Sequence, residues 1–128
     1  MDVQISMETT FDDGTTRKHR LVKLSRSIRV THPEALGLLL EDAKVILGQI
    51  QEAVLTDQVE EVCAANRICP ECGSRRAIHD HRTRVLDTLF GRFRLRAPRF
   101  RRCRCDTSIA NSRGGPFSPV THLFPNRA

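Results

Sequence analysis

Cys69-Pro70-Glu71-Cys72-Gly73 is followed, after 30 intervening residues, by Cys103-Arg104-Cys105. Two cysteines a short step apart on a tight turn make a knuckle, because the backbone amides of the turn point at the sulfurs of a metal-binding pair. Pro70 stiffens such a turn, and Gly73 permits the positive φ that closes it. The second pair is C-x-C, one residue tighter, which still leaves both sulfurs able to face one metal. The expected ligands are Cys69, Cys72, Cys103 and Cys105 around a structural Zn2+. Four thiolates leave no open coordination position, so zinc chemistry is disfavoured. Two alternatives stay open: Cys103 and Cys105 are incidental, or His79 or His81 replaces one of them.

The residues between the pairs supply the spacing. Thr83 to Phe90 reads as a strand, Gly91 as a turn, and Arg92 to Cys103 as the returning strand. Two Cys-bearing turns joined by antiparallel strands follow the logic of a zinc ribbon, although ribbons more often have C-x-x-C in the second half. In the return strand Phe93, Leu95 and Ala97 alternate with Arg92, Arg94 and Arg96. The alternation slips at Pro98, a residue found at strand edges and bulges. One extra residue there restores the period, returning Phe100 to the apolar face and Arg99 and Arg101 to the other. Arg92, Arg94, Arg96, Arg99 and Arg101 are thus the candidate nucleic-acid-binding residues, five guanidiniums on one face. His79 and His81 read as solvent-side or phosphate-contacting groups beside them.

The charge distribution points the same way. The chain carries +6 overall, but residues 67–104 hold 12 Arg, no Lys and three acids, whereas residues 1–66 hold 7 Lys+Arg against 11 acids. Arg presents a planar, bidentate fork suited to phosphates and base edges, where Lys is a solvated point charge. A surface built only for solubility would mix Lys, Arg and acids.

Upstream, Val3, Ile5, Met7, Thr9 and Phe11 alternate with polar residues, the period of a half-buried strand. Asp12-Asp13-Gly14 is a turn signal, and His19 to Leu24 returns as a second, less regular strand. From Leu40 to Asn66 there is no Pro and one Gly, with acids Glu41 and Asp42 placed to complement the helix dipole. Leu47, Ile50 and Val54 form one stripe, and Leu55, Val59, Val62 and Cys63 a displaced one. That stripe is a core or dimer face, so homodimerisation through the helix of residues 40–66 is a further expectation. Cys63, outside both knuckles, reads as core. The expected fold is α+β: a β-hairpin and long helix in residues 1–66, a zinc-ribbon-like Arg-rich module in 67–105, and an irregular tail or linker in 106–128.

With no Trp, no Tyr and six Phe, core volume must come from aliphatic residues, and a small module needs a staple. Paired Cys in a reducing compartment read better as metal ligands than as disulfides. No run approaches the ~18 apolar residues of a membrane span, and no export signal opens the chain. No membrane association is expected, and localisation is expected to be cytoplasmic, with the nucleoid.

The hairpin near Asp13-Gly14, the approach Leu36-Gly37-Leu38 through Glu41-Asp42-Ala43-Lys44, the Cys69-Pro70-Glu71-Cys72-Gly73 turn, Thr88-Leu89-Phe90-Gly91, Cys103-Arg104-Cys105 and Phe117-Ser118-Pro119 occur in that order. The chain resembles, over nearly its whole length, the N-terminal region of ISKra-type bacterial insertion-sequence transposases. Thr88-Leu89-Phe90-Gly91 is the most specific part. Zinc-ribbon heads of other insertion-sequence transposases share the CPxCG turn and Arg-rich hairpin. The resemblance implies a longer protein whose Asp-Asp-Glu catalytic domain would follow the tail, and on that expectation the stop at Ala128 suggests a fragment, a truncated element or an expressed domain. No residue here corresponds to that domain, so none carries over as catalytic and this chain alone is expected to be non-catalytic. The four cysteines carry over as the presumed metal ligands. The implied role is DNA binding in transposition; the rival is a protein-interaction or dimerisation module with a structural zinc.

Overall fold

The computed structural model describes residues 1–105 of the chain; the expected tail, 106–128, lies outside the described residues. Strand β1 (Asp2–Thr10) pairs antiparallel with β2 (Thr16–Ser25), a 3-10 turn covers Pro33–Ala35, helix α1 runs Leu40–Asn66, and β3 (Ile78–Thr88) pairs with β4 (Gly91–Phe100). The fold is α+β, with the helix bounds read from sequence and two two-stranded sheets.

The first turn is closed by its own side chains. Gly14 adopts φ +84°, and Asp13 Oδ1 accepts from the backbone N–H of Thr15 at 2.8 Å and from its hydroxyl at 2.6 Å. Register runs from Thr10↔Thr16 to Asp2↔Ser25 with one slip, Ile5 facing Val22 and Ser6 facing Arg20. Leu21 is the extra residue of that bulge. It explains why β2 looks irregular in sequence: Leu21 and Val22 are consecutive and both half-buried.

At the start of α1 the Leu39 N–H donates to Asp42 Oδ2 at 2.8 Å, and Arg26 pairs with the same carboxylate. The acid both serves an orphan amide of the first turn and complements the dipole. At the far end Asn66 Nδ2 donates to Val62 O at 2.7 Å.

The described residues divide into two compact units, one of Met1–Asp57 with Asp87–Phe93, the other of Gln58–Leu86 with residues 94–105. The first is organised around Asp57, whose 2% exposure makes it the most buried polar residue described. Its carboxylate accepts from Thr9 Oγ1 at 2.5 Å, Arg17 at 2.9 Å and His19 Nε2 at 2.7 Å. Burial opposes its ionisation, but those three partners outweigh burial and hold the carboxyl below the usual range. Arg17 in turn lies over the Phe11 ring at 5.1 Å.

The second unit has a small core of Cys63, Ala97 and Phe100, packed by Val59 and Val62. Cys63 is therefore core, as read, and burial pushes its thiol up. Ala97 and Phe100 are both buried although three residues apart, so the alternation does change phase at Pro98. The expected five-guanidinium strand needs correction, however. β3 begins at Ile78 rather than Thr83, and β4 ends at Phe100, leaving Arg101 beyond the strand. Arg99 is half-buried with both Asp80 carboxylate oxygens as acceptors, and Arg92 Nε donates to Asp87 at 2.6 Å. Among the described residues no helix is long and apolar enough to cross a membrane.

Candidate metal centre

The first knuckle is built by backbone bonds. The Gly73 N–H donates to Cys69 O and the Cys69 N–H to Ser74 O, each at 2.9 Å, with Gly73 at φ +70°. A bridge between Ile68 and Arg75 and a 2.9 Å bond from Arg76 N to Arg67 O fix the legs of this loop. The Arg101 N–H donates to Ala77 O at 2.7 Å, bringing the second cysteine pair back beside the first.

The four sulfurs Cys69, Cys72, Cys103 and Cys105 lie within 4.8 Å of one another, and neither His79 nor His81 belongs to the cluster. The closest separations are 3.2 Å for Cys72–Cys103, 3.4 Å for Cys103–Cys105 and 3.5 Å for Cys69–Cys105. These are far longer than an S–S bond of about 2.05 Å, and all five cysteines are free thiols. A tetrahedron of sulfurs at about 2.3 Å from a metal has edges of about 3.8 Å. The cluster can close onto that geometry by shifts of a few tenths of an ångström along the edges given. It can hold a metal ion, and the residues fit one that accepts four soft donors.

Electrostatics favour a cation. Ser74 Oγ lies 3.0 Å from Cys72 Sγ and 3.2 Å from Cys103 Sγ, where its single O–H can serve one sulfur at a time. That hydroxyl, then the backbone at Cys105 and the neighbouring thiols, brings Cys103 down to about 6, and Ser74 lowers Cys72 as well. Cys105 is pushed strongly up, first by Cys103, then by Cys72 and Cys69. Four adjacent sulfurs cannot all ionise unaided; a divalent ion removes that conflict. Cys69 is buried, Cys103 half-buried, and Cys72 and Cys105 exposed, so the site is shielded on one side only.

Of the candidate arginines, Arg94, Arg96 and Arg101 are exposed and make no ion pair among the described residues. Arg92 and Arg99 are tied to acids, and the Arg99 guanidinium holds Asp80 below the usual carboxylate range. Sequence reasoning missed Ser74, whose signal was its place two residues after Cys72. It also missed Arg76, which donates to Asn66 O and lies over the Phe100 ring at 5.5 Å. No protein-family model, curated protein or solved structure matches the chain.

Proposed function

We propose that the chain is a zinc-stabilised DNA-binding module, the N-terminal region of an ISKra-type insertion-sequence transposase, acting at the nucleoid. One observation carries the reading: an all-Arg segment, 12 Arg with no Lys, shares residues 67–104 with three of the four cysteines that can hold a metal. Zn2+ is the ion of choice for four thiolates in tetrahedral array. The chain's part is then mechanical. The sulfurs fix the two ends of the β3–β4 hairpin, and Arg94, Arg96 and Arg101 meet phosphates with little left to order. Base preference is modest, because phosphate contacts position without specifying.

Electrophoretic titration of the zinc-loaded chain with terminal-repeat and scrambled duplexes tests this. Counterion release makes affinity fall with salt at a log–log slope of roughly −0.9 per phosphate engaged. With three uncompensated arginines the expected slope is near −3. No binding at roughly 50 mM salt would refute the reading and leave the interaction module with a structural zinc.

A further inference from the structure

At the C-terminal end of α1 an open groove of about 290 Å3 is lined by Cys63, Ile68, Ile78, Pro98 and Phe100, with Arg67 and Arg75 supplying cationic wall. Its volume falls at the lower edge of small-molecule pockets, roughly 300–1,000 Å3, and suits a few aliphatic side chains better. Ile68 and Ile78 remain 47% and 38% exposed beside it. Arg75 is exposed and makes no ion pair among the described residues.

The complementary surface stands before the N-terminal end of the same helix. Leu36, Leu38 and Leu40 are 64%, 65% and 72% exposed, and the unpaired acids Glu34 and Glu41 flank them. The segment is held in shape without its leucines: Arg26 donates to Gly37 O at 3.5 Å and pairs with Asp42, whose carboxylate takes the Leu39 N–H. A preformed segment loses little freedom on docking. Apolar side chains between acids match an apolar groove walled by arginines, and such rim charges set register and partner choice.

Residues 34–42 precede and open α1, and Cys63 near its end lines the groove. We infer that the chain self-associates by laying residues 34–42 of one copy into the groove beside Cys63 of a second. The contact is heterologous, so two copies close it reciprocally or further copies extend it. It is independent of DNA.

Sedimentation of the zinc-loaded full chain between about 1 and 100 μM reads it directly. The expected result is a mass rising from monomer to at least dimer. Leu38→Asp with Leu40→Asp should return the chain to monomer; both residues are exposed, so helix content by circular dichroism should not change. Arg75→Glu and Glu41→Arg should each weaken association about tenfold, and the two together, mixed in one chain, should recover most of it. A monomer throughout the range, association insensitive to Leu38 and Leu40, or no recovery in the charge swap overturns the inference. So does association lost with Val45→Asp but retained with Leu38→Asp, which would place the contact on the helix flank instead.

Discussion

The two units reach stability by opposite means. In the first, a nine-residue and a ten-residue strand pair along their length with one bulge at Leu21, and one buried carboxylate gathers a hydroxyl, a guanidinium and an imidazole from three positions of that ladder. In the second, the buried hydrophobic cluster among the described residues is Cys63, Ala97 and Phe100, and four sulfurs converge in the same unit. A buried charge is tolerable where every lone pair finds a donor. Where the core is too small to hold a hairpin, a metal supplies the closure. The first unit is thus held by pairings that fold with it, whereas the second, on the function proposed above, relies on an ion that must be acquired.

The largest expected break falls on the second unit. Cys72→Ser or Cys103→Ser, or a strong chelator, should remove apparent binding energy on the order of 10–16 kcal/mol and collapse the amide dispersion of residues 67–86, while the β1–β2 signals persist. Loss of both sets together would erase the contrast.

Asp57→Ala should act in reverse, costing the first unit about 2–4 kcal/mol without affecting metal uptake. The sign with pH follows from the lowered carboxyl. Its contribution is complete above the unfolded value of about 3.9 and is lost as pH falls through the folded one. Urea midpoints of Asp57→Asn and the parent should therefore keep their gap from about pH 7 down to about 3.9 and draw together only as pH falls further. A gap that stays constant would mean that Asp57 acts by packing and not by charge.

Cys63→Ser should cost about 1–2 kcal/mol by leaving a hydroxyl in an apolar core, and elemental analysis should still find the metal. The smallest effect on stability belongs to Arg94→Ala, which should leave the unfolding midpoint unchanged but make the salt slope for DNA shallower by about one unit. An unchanged slope would remove Arg94 from the DNA face.

Much of this was legible from periodicity and spacing. The helix bounds follow from a stretch free of Pro opened by Glu41 and Asp42, and the hairpin from alternation about Asp13-Gly14. The cysteine cluster follows from two short-spaced pairs separated by a hairpin's length. The pairings of single charges were not legible. Thr9, Arg17 and His19 each look like ordinary outward polar residues of a strand, and only the packing of α1 brings Asp57 to them. Likewise Asp87 and Asp80 neutralise Arg92 and Arg99 across a hairpin whose register is not written in its alternation. Ser74 falls between two sulfurs because the knuckle closes on Gly73.

The most direct test of metal-dependent closure is titration of metal-free chain with zinc, following the amide spectrum and measuring bound metal by elemental analysis. One zinc per chain should bind, and the amides of residues 67–105 should become dispersed in step with uptake while those of β1 and β2 stay where they were. A chain that takes up no zinc, or whose residues 67–105 are already fully dispersed without it, would contradict the proposed division of labour.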